Sequence, residues 1–218
     1  MKVIFCLPGG MFTGCFLDSW TKLMREIASG ALVKPEYLRY YSANVFEARN
    51  RIIGDGNACQ KSDAQPFGGR EYDWSFWIDS DIVFYPEDVF QLLALAEKHD
   101  CAVLSGLYAT GPGEDEDMAV AGTTWGRASI DEMRKCHREV LPIDYCGWGF
   151  IAVRRGVFEA LGFPWIDEPY RKMDGLILNL GDDFSFCLRC REREIQPYIA
   201  PDVVVGHDKR TVLQARQT

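Results

Sequence analysis

Trp74-Ser75-Phe76-Trp77-Ile78 is an almost wholly apolar run that stops abruptly at Asp79-Ser80-Asp81. A short apolar run flanked by polar residues reads as a strand covered on both faces, and strands of that kind belong to sheets sandwiched between helices. The two carboxylates then lie just past the strand's C-terminal end, where open α/β sheets hold their ligands. A carboxylate pair at the edge of a core needs a cation, a proton or cationic side chains to be tolerable. A divalent metal is the first choice here.

The surrounding pattern agrees with such a sheet. Val3–Leu7 is apolar and ends in the turn Pro8-Gly9-Gly10, and a helix is expected from about Asp18 to Ser29 because Trp20, Leu23, Met24, Ile27 and Ala28 recur as one buried stripe. Tyr37–Ser42 reads as a second strand and Asn44–Ile53 as a helix. Pro86-Glu87-Asp88 opens a helix that Lys98-His99 closes, with first-turn proline and acids at one end and basic groups at the other. Cys101–Tyr108 completes another β-α-β unit, and this alternation implies parallel strands with helices on their faces.

Beyond Gly111 the pattern changes. The acidic stretch Glu114–Asp117 and the segment to about Pro142 carry one weak helical signal, at 129–139, and read as an excursion across the functional edge of the sheet. Cys146–Val153 resumes as a strand, a short helix is expected at 155–161, and a loop leads to Gly181-Asp182-Asp183 at the head of a last helix. Pro201–Gly206 is a final strand ending at His207. The expected fold is therefore α/β and Rossmann-like, a mixed, mostly parallel sheet flanked by helices in a single domain, with residues 1–110 and 111–218 as its two halves.

Composition narrows the partners. With 24 Lys+Arg against 32 Asp+Glu, the net charge of −8 argues against a phosphate backbone, which demands clustered cations. Nucleic acid is excluded on that ground. No stretch approaches the ~20 apolar residues of a membrane span, and Val3–Leu7 is too short for the core of a secretory signal. A cytoplasmic location is expected, with the eight cysteines as free thiols. Cys187-x-x-Cys190 lacks a second pair and reads as two helical residues packing inward rather than as a zinc site.

Three features fall at the ends of elements: Asp79/Asp81, Asp182/Asp183 and His207. Two carboxylates and an imidazole suit Mn²⁺, with Mg²⁺ as the other candidate, better than Ca²⁺, which prefers oxygen alone. Open positions on such a metal would take diphosphate oxygens, and the ion would act as a Lewis acid. One of Asp182 and Asp183 is expected to cap its helix. The other could serve as a general base, a weak one, since a helix N-terminus lowers a carboxylate's pKa.

In order along most of the chain, Pro8-Gly9-Gly10, Glu47-Ala48-Arg49-Asn50, Asp79-Ser80-Asp81, Gly147-Trp148-Gly149, Gly181-Asp182-Asp183 and Gly206-His207 resemble the motifs of GT-A glycosyltransferases, especially small single-domain ones of viruses, phages and bacteria. The resemblance implies a transferase that moves a sugar from a nucleoside diphosphate sugar, most often a UDP-sugar, to a hydroxyl acceptor such as a glycan. It implies Asp79 near the ribose and metal, Asp81 and His207 as metal ligands, and Asp183 as the acceptor-side base with Asp182 beside it. Pro8–Gly10 and Arg49 would contact the nucleotide. Gly147 and Gly149 would let a sugar approach the backbone, with Trp148 either an apolar face for it or ordinary core.

Rival readings use the same residues. In a haloacid-dehalogenase-type phosphatase Asp79 would be the nucleophile, but that family's second acidic motif would need an acid where Phe186 stands. A sugar-nucleotidyltransferase would want Arg and Lys in the first turn, and Pro8–Gly14 has neither. A catalytically silent binding module would hold metal and nucleotide without turnover.

Overall fold

The computed structural model describes residues 1–30, 33–57, 63–109, 111, 118–123, 126–166, 170–173, 175–179 and 181–209. The acidic stretch Glu114–Asp117 lies outside them.

The first half alternates as expected: β1 (Lys2–Pro8), α1 (Gly14–Ala28), β2 (Lys34–Tyr40), α2 (Val45–Ile53), β3 (Trp74–Ile78), the short β4 (Ile82–Val83), α3 (Pro86–Lys98) and β5 (Val103–Leu107). Helix α1 begins a turn earlier than its apolar stripe suggests because the Thr13 side chain accepts the Phe16 N–H and caps it. In α2 the Asn44 side chain does the same for Phe46 and Glu47. Pro86 stands at the start of α3, and the Asp88 carboxylate accepts the Tyr85 N–H at 2.7 Å.

The second half holds more strand than its sequence announces. Within the excursion, β6 (Met118–Thr123) and β7 (Gly126–Ser129) pair antiparallel, α4 (Ile130–Arg134) is a short helix, and β8 (Leu141–Pro142) follows. The expected strand 146–153 is two pieces: β9 (Tyr145–Cys146), which joins β6, and β10 (Phe150–Arg154). After α5 (Val157–Leu161), β11 (Tyr170–Met173) and β12 (Leu176–Asn179) form a hairpin where a loop was expected. Then come α6 (Asp182–Glu192), β13 (Pro197–Val204) and β14 (Gly206–His207).

One seven-stranded sheet in the order β2-β1-β3-β10-β5-β13-β8 organises these elements. Strands β2, β1, β3, β5 and β13 run one way, while β10 inserts antiparallel between β3 and β5, and β8 is antiparallel at the far edge. Period-two alternation sends side chains to opposite faces. Phe5, Phe76 and Phe150 meet Phe16 and Leu23 of α1 and Val89 and Leu92 of α3 on one face. Cys6, Trp77 and Ile151 meet Ile52 of α2, Phe158 of α5 and Phe186 of α6 on the other. Both halves share these two cores. Cys187 and Cys190 are fully buried in the second, as two inward-facing helical residues. Edge strand β2 is mostly exposed and carries Pro35 with Lys34, Glu36 and Arg39, which blunts pairing with another sheet.

Candidate active site

Five parallel strands deliver their C-terminal ends to one side of the sheet, and the predicted residues lie there. A cleft of about 370 Å³ is lined by Pro8 and Gly9 after β1, Tyr41 and Ser42 after β2, Asp79–Asp81 after β3, Tyr108 after β5, and His207 and Lys209 after β13. A larger cleft of about 470 Å³, around Tyr72, Glu97 and Arg154, opens at the other end of β3 and β10, away from these groups.

The Asp79–Asp81 turn is held from three sides. The Asp79 N–H donates to the Gly149 carbonyl at 2.9 Å, the Ile82 N–H closes the turn onto the Asp79 carbonyl, and the Thr13 N–H reaches the Ser80 carbonyl at 3.1 Å. Gly9 is glycine for a steric reason: its φ is 152°, and a β-carbon there would sit 2.8 Å from that of Ser80. Gly10 is exposed beside the Tyr41 ring and does not line the cleft.

Strand β14 pairs antiparallel with β4, His207 opposite Ile82, and this register places the imidazole beside Asp81. His207 Nδ1 lies 2.8 Å from the Ala109 carbonyl. A carbonyl has no proton to give, so Nδ1 donates to it, and Nε2 lies 3.3 Å from Asp81 Oδ2, where a hydrogen on that nitrogen, when present, points at the carboxylate. Lys209 Nζ reaches the same oxygen at 3.0 Å. Burial works to raise the Asp81 carboxyl, but the hydrogen bonds from His207 and Lys209 prevail and bring it down to about 2.

These residues fit a divalent cation. An anionic oxygen and a ring nitrogen oriented by the Nδ1 bond to the Ala109 carbonyl stand 3.3 Å apart, close to the spacing of about 3 Å between neighbouring ligands around an ion with bonds near 2.1 Å, and a cation there would take the place of any Nε2 hydrogen. Lys209 is 43% exposed and free to swing aside. Asp79 is turned instead to Arg49, and among the described residues no three His, Cys, Asp or Glu side chains converge on one point. The protein thus offers two ligand atoms and leaves the rest of a coordination shell to other oxygens.

Arg49, expected to contact the nucleotide, lines the cleft but turns its donors to two carboxylates. Its side chain is 4% exposed, with the guanidinium 5.1 Å from the Trp148 ring and 6.0 Å from the Trp77 ring. Nη2 bonds the Asp79 carboxylate at 3.2 Å, and Nε bonds Asp182 Oδ2. Trp148 is fully buried among Trp77, Phe158 and Phe186, so it is core and a shelf for Arg49, with no face to give a sugar. Gly147 and Gly149 are buried as well. Ser105 Oγ donates to the Gly147 carbonyl, and the Gly149 N–H donates to the Tyr108 hydroxyl at 2.8 Å. A β-carbon on Gly149 would lie 2.8 Å from the Tyr108 ring, so that glycine admits a tyrosine rather than a sugar.

Neither aspartate at the head of α6 caps it. The N-cap is Gly181, without a side-chain hydrogen bond. Asp182 is occupied by Arg49. Asp183 folds back over Gly181, where a β-carbon would be 2.7 Å from its Oδ1, and accepts the Phe184 N–H at 2.7 Å. Burial, reinforced by the Asp182 charge, pushes the Asp183 carboxyl up to about 6, against that N–H and Arg49. The lowering expected from the helix N-terminus is therefore overturned: loss of water outweighs the first-turn amide.

Tyr108 and Lys209 are the residues that sequence reasoning missed. Tyr108 is buried, its ring edge-on to His207 at 5.2 Å, and burial together with the Asp79 and Asp183 charges holds its hydroxyl protonated far above the usual tyrosine range. Tyr108 follows directly on β5 and Lys209 comes two residues after β14, and nearness to strand ends at the cleft is the one signal that could have found them.

Among solved structures, GalNAc-T7 with UDP, GalNAc and Mn²⁺ matches 96% of this chain over 44% of its own length, at 13% identity and a TM-score of 0.52. Residues 1–349 of S. aureus TarS in complex with UDP-GlcNAc match 98% of the chain over 60% of theirs, at 14% identity and a TM-score of 0.50. The chain spans about half the length of these proteins. Both are GT-A glycosyltransferases, and the fold described here is the GT-A fold. No family model matches the sequence, and no curated protein matches it.

Proposed function

We propose that the chain is a metal-dependent glycosyltransferase that moves a sugar from a nucleoside diphosphate sugar, of the uridine type, to a hydroxyl acceptor. The observation that carries this reading is the pair of Asp81 Oδ2 and His207 Nε2, 3.3 Å apart and locked in register by β4 and β14 at the mouth of the cleft. Asp79-Ser80-Asp81 is then the DXD motif of the site. Asp81 and His207 would hold Mn²⁺, or Mg²⁺, which when bound supplies Lewis-acid stabilisation to the departing diphosphate. The GalNAc-T7 and TarS structures, with UDP, Mn²⁺ and a UDP-sugar between them, support the same choice of donor and ion.

The other residues act by position and proton. Pro8 and Gly9 wall the nucleotide side of the cleft, and Asp79, at its floor, is in reach of a ribose. Lys209, drawn from Asp81, would place a cation beside the leaving phosphate. Asp183 is the candidate base: a carboxyl near 6 is mostly ionised at neutral pH yet basic enough to take the acceptor's proton as the hydroxyl attacks. Residues 1–110 form the nucleotide half and 111–218 the acceptor half. Seven described cysteines are free, which favours a reducing, cytoplasmic setting. Among the described residues no helix is long and apolar enough to cross a membrane. The phosphatase reading has no supporting observation, since both Asp79 oxygens are engaged by Arg49.

Isothermal calorimetry of UDP with Mn²⁺ tests the assignment. Wild-type protein should bind, and Asp81→Asn, which keeps the shape and removes the charge, should weaken binding at least about tenfold, a loss of about 1.4 kcal/mol. Equal affinity in the two proteins would sink the metal site.

A further inference from the structure

Arg49 is the least expected part of the site. Buried guanidinium groups are costly unless their bonds are made, and a cation held between two carboxylates fixes both of them. Arg49 leaves α2, lies over the indoles of Trp77 and Trp148, and gives Nη2 to Asp79, which follows β3, and Nε to Asp182, which opens α6, while Nη1 is buried without a hydrogen-bond partner. Asp182 is 16% exposed and Asp79 30%. The cation is thus the innermost group of the three. The Asp182 carboxylate in turn raises its neighbour Asp183. One side chain therefore touches the donor-side carboxylate and, through Asp182, the charge environment of the acceptor-side one.

We propose that Arg49 is a positioning residue that sets the donor half of the site in register with the acceptor half, by bonding Asp79 and Asp182 at once. The proposal rests on the glycosyltransferase reading for what the two halves do, but not for the bonds themselves. Arginine is required for both contacts. Its planar guanidinium carries Nε and Nη2 as separate donors, one for each carboxylate, whereas a lysine ammonium is a single point and cannot span two carboxylates in the same geometry. The indole shelf adds a second selection for a flat cation.

The register makes a signature that a purely structural arginine would not give. With Arg49 removed, a cation that favours the ionised Asp183 is gone while the Asp182 carboxylate beside it remains, and Asp183 becomes harder to ionise. Three proteins carry the test: Arg49→Met, Arg49→Lys and Asp182→Asn. For each, UDP–Mn²⁺ affinity is measured by calorimetry, and kcat for transfer from a UDP-sugar is measured from pH 4.5 to 8.5.

Arg49→Met should lower kcat at least tenfold at pH 7 and move the acid limb of the kcat profile upward by half a pH unit or more. Arg49→Lys should recover the position of that limb in part while leaving kcat depressed. Asp182→Asn should move the limb downward, because the charge that raises Asp183 is gone. If Arg49→Met is too unstable to purify, the Lys and Asn variants decide alone.

An acid limb unmoved in both Arg49→Lys and Asp182→Asn overturns the proposal. So does a profile in which donor affinity alone changes, since Arg49 would then serve only Asp79. Failure of the glycosyltransferase reading looks different: the wild type would bind no UDP–Mn²⁺ and transfer no sugar. In that event ¹³C NMR of the aspartate carboxyl carbons, in wild type and Arg49→Lys without ligand, reads the link directly. Identical Asp183 titrations in those two proteins would refute it, and a displaced one would uphold it.

Discussion

Asp183 shows how one carboxyl is tuned by competition between burial and a helix end. Its folded pKa of about 6 lies above the ordinary value of about 3.9, so the folded state holds the proton more tightly than the unfolded chain. Its contribution to stability is full below pH 4 and disappears as pH rises through 6, after which the charged, buried form is a net cost. Asp183→Asn should therefore stabilise the protein at pH 7, by up to about 3 kcal/mol from a two-unit shift, and change little at pH 4. Transfer should fall at least about a hundredfold, the scale of a lost general base, with UDP–Mn²⁺ affinity kept. Calorimetric melting at the two pH values, beside initial rates, checks both; wild-type rates would return Asp183 to a structural role. The placement of Asp79, Asp81 and His207 at one edge of the sheet was legible in the sequence because each stands at the end of an apolar run, whereas the turning of Asp79 to Arg49 was not. The Arg49–Asp182 bond was not, because its partners are 133 residues apart and nothing local marks either as the other's counter-ion. The same distance explains why Asp182 looked like a helix cap.

At the scale of elements, the first half could be read because each strand and helix carries its own boundary chemistry: Asn44 ahead of α2, Pro86 and Asp88 at α3. The second half could not, because β6 and β9 are short strands whose pairing is made by distant partners such as Ala121 with Cys146. Antiparallel β10 is the clearest case, since periodicity shows a covered strand and says nothing of its direction. Two adjacent glycines make a prediction about the turn after β1. Gly9 has positive φ and backs onto the Ser80 β-carbon at 2.8 Å, whereas Gly10 backs only onto the exposed Tyr41 ring, which can rotate away. Gly9→Ala should cost about 1–3 kcal/mol of stability and, by pushing the turn off Asp79–Asp81, weaken UDP–Mn²⁺ binding severalfold. Gly10→Ala should be tolerated in both respects. Denaturant melts and calorimetry on the two variants would show it, and equal behaviour would mean that the turn does not brace the acidic one.

For the whole molecule, the sheet joins two cores while its strand ends collect charge, so ligand binding and global stability are coupled. Asp79, Asp81, Asp182 and Asp183 gather near one edge of a chain that already carries a net charge of −8, with Arg49, Lys209 and His207 as the counter-groups in contact with them. A divalent ion at Asp81 and His207 relieves that excess, and a diphosphate brings its own oxygens to the ion, so each should bind poorly without the other. A ligand at a hundred times its dissociation constant adds about 2.7 kcal/mol to unfolding, and for a domain of this size each kcal/mol moves the melting point by about 2–4 °C. UDP with Mn²⁺ should raise Tm by on the order of 5–10 °C, while UDP in a chelator, or Mn²⁺ alone, should give a small fraction of that. A UDP shift that survives chelation would show that Lys209 holds the diphosphate without a metal. The Asp81–His207 pair would then be an ordinary ion pair bridging β4 and β14.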